Sequence, residues 1–90
     1  MIIRSKAIAG TLESSDVLVE IEPAPEIVID LESAVLAQFG DSIEASVRSV
    51  LKEFGVTGAR LRLVDRGALD CTLRARVETA VRRAAKGDGE

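Results

Sequence analysis

Ile8-Ala9-Gly10-Thr11-Leu12-Glu13-Ser14-Ser15-Asp16-Val17-Leu18-Val19-Glu20-Ile21 decides how the chain folds, because apolar residues alternate on both sides of a polar centre. Ile8, Gly10 and Leu12 share one face going in, and Val17, Val19 and Ile21 share one face coming out. That pattern is a β-hairpin. Pairing Leu12 with Val17 sets Gly10 opposite Val19 and Ile8 opposite Ile21, so that inward residues meet inward residues, and a slip by one would turn the apolar set to solvent. The loop left between the strands is Glu13 to Asp16, with two hydroxyls at its centre and acidic shoulders. Ser and Asp suit such loops because their side chains bond the turn's own backbone. A Ser-Ser turn is by itself only a turn.

Beyond Ile21, Pro23-Ala24-Pro25 is a stiff connection that ends one strand and delays the next. Glu26 to Leu31 reads as a third strand with Ile27, Ile29 and Leu31 on one face. From Ser33, a candidate N-cap, the period changes from two to 3.6. Val35, Leu36, Phe39, Ile43, Val47, Val50, Leu51 and Phe54 fall within about 160° when wound at ~100° per residue. One long helix follows, with Gly40-Asp41 as the place for a bend. Gly55 is its natural stop, and Val56 packs back on Leu51 in a Schellman ending. Ala59 to Val64 is a fourth strand in which Arg60 and Arg62 point away from the core. After the turn Asp65-Arg66-Gly67, a second helix runs from Ala68 to Lys86 with Leu69, Leu73, Val77, Ala80, Val81 and Ala84 on one stripe. Gly87 to Glu90 reads as a frayed tail.

The order is therefore β-β-β-α-β-α in a single domain, 1–90. The packing that hides both stripes is two-layered α+β: a mainly antiparallel four-stranded sheet covered on one face by two helices. Glu20, Glu22, Arg60 and Arg62 keep the other face wet.

Composition excludes several functions. Ninety residues bury roughly 60 to 65% of the unfolded surface, too little for a deep cleft. A net charge of −3 with no Tyr or Trp argues against nucleic acid. Met1-Ile2-Ile3-Arg4 is too short for a signal peptide, and no run approaches the ~20 apolar residues of a membrane span. The single Cys71 forbids an internal disulfide and suits a reducing, cytoplasmic setting; it reads as an inert, partly buried small hydrophobe. There is no His, so neither a Ser-His nucleophile nor a usual zinc site can be built within the chain. An enzyme working alone is not what these residues describe.

Three blocks then carry a resemblance. Gly10-Thr11-Leu12-Glu13-Ser14-Ser15-Asp16-Val17, Gln38-Phe39-Gly40-Asp41 and Asp65-Arg66-Gly67-Ala68-Leu69-Asp70-Cys71-Thr72-Leu73-Arg74-Ala75-Arg76 resemble the citrate lyase acyl carrier protein family, the γ subunits of that complex, from about Ala7 to Val81. The resemblance implies a non-catalytic carrier with a phosphoribosyl dephospho-coenzyme A arm joined through a phosphodiester to the serine after Gly-Thr-Leu-Glu, here Ser14. It also implies acetyl and citryl thioesters on the arm's thiol, an α acyl-transferase subunit and a β lyase subunit as partners, a prosthetic-group transferase that loads the arm, and cleavage of citrate to acetate and oxaloacetate. Ser15 stands where the family often has Gly, which favours Ser14 over its neighbour. Glu13 and Asp16 either help the transferase recognise the loop or merely solvate and cap it. Arg60, Arg62, Arg66, Arg74 and Arg76 are either phosphate or partner contacts or a solvated face. The chain also stops soon after Lys86, where relatives often continue.

The residues fit a carrier on independent grounds. A hydroxyl modified by another enzyme needs exposure and no base of its own, and a hairpin tip provides that. A tethered acyl group is also kept at high effective concentration near its partners. A carrier for a related lyase acting on citramalate, and an unmodified protein-interaction module, are the alternatives.

Overall fold

The structure, a computed structural model, describes residues 1–86, and the side chains of all of these except 36 and 37. The expected tail, Gly87 to Glu90, lies outside the described residues. The elements are β1 (Ala7–Gly10), β2 (Val17–Glu22), β3 (Ile27–Ser33), α1 (Leu36–Glu53), β4 (Ala59–Asp65) and α2 (Asp70–Lys86), in the order the sequence implies.

The four strands lie in the order β1-β2-β4-β3. β1 and β4 both run antiparallel to β2, whereas β3 and β4 are parallel. The sheet is thus mixed, and the mainly antiparallel expectation holds for two of its pairings. The parallel pair follows from α1, because parallel neighbours need a long crossover and an 18-residue helix between β3 and β4 supplies one. Val17, Val19 and Ile21 of β2 and Ala59, Leu61 and Leu63 of β4 are fully buried under Val47 and Leu51 of α1 and Val77, Ala80, Val81 and Ala84 of α2. On the opposite face Glu20 and Asp30 flank Arg62, Glu22 faces Arg60, and Arg60 reaches Asp30 at 3.2 Å. Leu69, expected on the α2 stripe, precedes the helix and is exposed.

The hairpin register differs by one residue from the one expected. Ala7 faces Ile21, Ala9 faces Val19 and Gly10 faces Leu18, so the inward positions are Ala7 and Ala9, while Ile8 and Leu12 are about half exposed at 49% and 54%. Size is the reason. α2 packs directly over β1 and β2, and small side chains under a helix let it approach where Ile8 and Leu12 would hold it off. At the strand's end Gly10 has φ +84°, and a Cβ there would sit 1.8 Å from the Val17 carbonyl oxygen. The hairpin loop is consequently longer, Thr11 to Asp16.

The helix ends show how local chemistry sets boundaries. α1 closes in the Schellman ending expected from sequence: Val56 N–H donates to the Leu51 carbonyl at 2.9 Å and Gly55 N–H to Lys52 at 3.0 Å, with Gly55 at φ +64°. Its start differs. Ser33 is the last residue of β3, and its Oγ accepts from Val35 N–H (3.1 Å) while donating to the Asp65 carboxylate (2.8 Å). Asp65, 4% exposed, also accepts from Ala68 N–H at 3.0 Å, which holds the approach to α2 and delays that helix to Asp70. One buried carboxylate thereby ties together the ends of β3 and β4 and the entry to α2.

Candidate functional site

The tip of the β1–β2 hairpin carries Ser14 and Ser15, both exposed. The loop is held by main-chain and side-chain bonds that leave both hydroxyls out. Thr11 Oγ1 accepts from Glu13 N–H at 3.1 Å and donates to Asp16 Oδ2 at 2.7 Å. Asp16 N–H returns to the Glu13 carbonyl at 3.2 Å, closing the turn around Ser14 and Ser15. β4 continues the support, since Ser15 N–H donates to the Arg66 carbonyl at 2.8 Å and Arg66 N–H to the Asp16 carbonyl at 2.9 Å. Of the hydrogen bonds described in this loop, none engages the Ser14 or Ser15 hydroxyl.

Asp16 is the anchor. Its carboxylate accepts from Val17 N–H at 2.8 Å, from Thr11, and from Arg76 of α2 through Nε (3.1 Å) and Nη2 (3.0 Å). The side chain is only 13% exposed. Arg76 first, then the Thr11 hydroxyl and the Val17 N–H, lower the carboxyl pKa from 3.8 to about 2. Of the two roles open to the acidic shoulders, Asp16 therefore has the structural one. Glu13 is exposed and joins the loop through its backbone.

Ser15 lies at φ +65°, in the left-handed region that glycine enters freely and other residues enter at a cost. Glycine at position 15 would adopt this backbone without that cost. Ser14 needs no such conformation.

The remaining candidates separate in space. Arg60 and Arg62 are on the outer face of the sheet, and Arg74 is paired with Asp70 at 3.0 Å. Arg66 is exposed and meets the serine loop through its main chain. Arg76 holds Asp16. Cys71, expected to be partly buried, is exposed: it is the second residue of α2 and lies off the stripe of Leu73, Val77, Ala80, Val81 and Ala84. Sequence reasoning missed the Asp16–Arg76 pair, which nothing local announces. It also missed the bond to Thr11, whose signal is local: a Thr two residues before a turn amide commonly accepts from it.

What this geometry defines is a presenting scaffold: an accessible hydroxyl on a braced turn, in a chain with no histidine to activate it. Residues 4–84 match the family model described as malonate decarboxylase delta subunit. The chain is 52% identical over 84 residues to the citrate lyase acyl carrier protein of Treponema denticola, covering 93% of this chain and 97% of that one. It is 54% identical over 81 residues to the citrate lyase acyl carrier protein of Yersinia enterocolitica, covering 88% and 84%. Among solved structures, a chain of a Pseudomonas malonate decarboxylase hetero-tetramer in complex with malonate superposes with a TM-score of 0.78 at 21% identity, covering 91% of this chain and 86% of that one, a likeness of fold. The chain belongs to the family of citrate lyase acyl carrier proteins and malonate decarboxylase delta subunits. It is a carrier subunit and not itself an enzyme. No helix among the described residues is long and apolar enough to cross a membrane.

Proposed function

We propose that the chain is the acyl carrier of a citrate-cleaving complex and that Ser14 Oγ is the attachment point of a phosphoribosyl dephospho-coenzyme A arm. The observation that carries this reading is the exposed Ser14 hydroxyl, free of the hydrogen bonds that fix the rest of its loop, beside a Ser15 whose left-handed backbone is one glycine adopts freely. Relatives at about half identity favour citrate over malonate as the substrate of the complex, and citramalate is the nearest alternative.

When attached, the arm supplies a thiol on which acyl groups travel as thioesters. The chain's own residues do the rest. Asp16, Arg76 and Thr11 hold the turn so that Ser14 stands clear of the fold, accessible first to the loading transferase and later to the α and β subunits. Exposure of the serine lets a transferase surround it, and the chemistry at the hydroxyl is supplied by that enzyme, since the chain has no histidine of its own.

Intact mass tests the reading. Co-expressed with enzymes that make and attach the arm, the wild-type chain gains the mass of a phosphoribosyl dephospho-coenzyme A. Ser14→Ala stays unmodified while folding normally, and Ser15→Ala is still loaded. Loading of Ser14→Ala would reject the assignment, and an unmodified wild-type chain would favour a plain interaction module.

A further inference from the structure

The parallel strands β3 and β4 end at the same edge of the sheet as the serine loop, and each is followed there by the start of a helix. Between those two starts lies an open groove of about 380 Å³. Val35, Phe39, Ile43, Ala68, Leu69 and Leu73 give it apolar walls, and Phe39 and Leu69 remain 52% and 70% exposed at its mouth. Crevices beyond the carboxyl ends of parallel strands are where α/β structures take ligands. The groove adjoins the attachment loop, because Asp65 and Gly67 line it and Arg66 between them accepts the Ser15 N–H.

Size and charge select its occupant. Small-molecule sites span roughly 300–1,000 Å³, which includes this groove, whereas a stable protein partner needs about 1,000 Å² or more of buried surface. Two carboxylates border the groove, Asp65 and Asp70. Asp65 is bonded to Ser33 and Ala68 N–H, and the Ser46 hydroxyl and then Arg74 hold the Asp70 carboxyl below its ordinary range. The Asp70 anion at the border disfavours a phosphate there. A neutral, flexible, largely apolar chain fits, and Ser42 at the wall offers it a hydroxyl.

We propose that this groove is the resting berth of the neutral amide-and-thioester end of the arm, while the arm's phosphates stay outside in solvent. The inference rests on the carrier reading of Ser14. Tethering makes a weak site sufficient, since a short flexible linkage holds its end at millimolar effective concentration. The berth would shield the thioester from water between visits to partner subunits.

Two measurements on the loaded chain test it, with Cys71→Ser removing the exposed protein thiol. In amide-resolved NMR, loading shifts residues 39, 42, 43 and 67–69 as well as the serine loop. The arm's free thiol reacts with a maleimide about two- to tenfold more slowly than free pantetheine, as follows when the berth's dissociation constant is about equal to, or up to about tenfold below, the millimolar effective concentration. Phe39→Ser and Leu69→Gln, both at exposed positions, abolish the groove shifts and restore the free rate. Shifts confined to Thr11–Asp16 with alkylation at the free rate would overturn the berth while leaving the carrier reading intact. If intact mass shows no arm, the carrier reading fails instead, and millimolar S-acetylpantetheine added to the bare chain decides the groove: shifts at residues 39, 43 and 69 support it and none reject it.

Discussion

Arg76 grips Asp16 through two parallel hydrogen bonds of 3.1 and 3.0 Å across 60 residues of chain, joining the second helix to the shoulder of the serine turn. The paired geometry fixes the carboxylate plane as well as its position. Helix α2 also packs on the sheet through apolar side chains and is tied to β1 by Arg83, whose Nη1 donates to the Ile8 carbonyl at 2.7 Å. The Asp16 contact is the one that joins the helix to the side chains of the loop presenting Ser14.

The contact has a pH signature. A carboxyl whose folded pKa is about 2 against an ordinary 3.8 contributes stability that is fully present above the ordinary value and disappears as pH falls through about 2. Urea midpoints of the wild type should therefore fall between pH 4 and 2 more steeply than those of Asp16→Asn, with parallel curves above pH 5. Arg76→Gln removes the largest cause of the depression and should flatten the same window. Identical acid slopes in all three proteins would show that the pair does not act as described.

How much of this was legible in the sequence depended on distance along the chain. The ending at Gly55 and Val56 was readable because its partners, Leu51 and Lys52, lie within one turn. The alternation of β4 was equally plain. The hairpin register was not, because apolar size favours Ile8 and Leu12 as the inward residues, and the helix that makes Ala7 and Ala9 the correct inward pair, α2, begins only at Asp70, 61 residues after Ala9. The serine site was readable as a loop, while its brace through Arg76 and Arg66 depends on strand order. Parallel pairing of β3 with β4 likewise needs the topology, since alternation alone does not give strand direction.

Ser15 supplies a test of backbone strain. At φ +65° a serine bears a cost of about 1–2 kcal/mol that glycine does not, while glycine loses roughly 0.5–1 kcal/mol through the greater freedom of its unfolded chain. Ser15→Gly should accordingly leave stability unchanged or raise it by about 0.5–1 kcal/mol. Ser15→Val should lower it by about 1–2 kcal/mol, because a β-branched residue tolerates this region least. Urea denaturation reads both, and a loss in Ser15→Gly would mean that the serine side chain stabilises the turn.

Gly10 is constrained from two sides, by φ +84° and by a Val17 carbonyl oxygen 1.8 Å from any Cβ. Alanine there must push apart the first residues of the hairpin. The expected loss is about 2–4 kcal/mol, a drop of roughly 10–25 °C in Tm for a domain of this size. Loading of Ser14 in the residual folded fraction should fall as well, since the loop begins at the next residue. A thermal melt within 3 °C of wild type would contradict the close approach.

Asp65 gives the sharpest separation of local from global effects, because a single buried carboxylate accepts both from Ser33 Oγ at 2.8 Å and from Ala68 N–H at 3.0 Å. Removing it leaves the Ala68 N–H and the Ser33 O–H without their acceptor at a site only 4% exposed, which costs about 2–4 kcal/mol when such donors are stranded. Ser33→Ala removes the bond to Asp65 and the one accepted from Val35 N–H, so it should cost about 1–2 kcal/mol. In a double-mutant cycle the pair should be coupled by about 0.5–2 kcal/mol, since either single change already removes the bond between them. Strictly additive losses would place the stabilisation elsewhere, and Asp65 would then hold only the entry to α2 rather than the ends of both parallel strands.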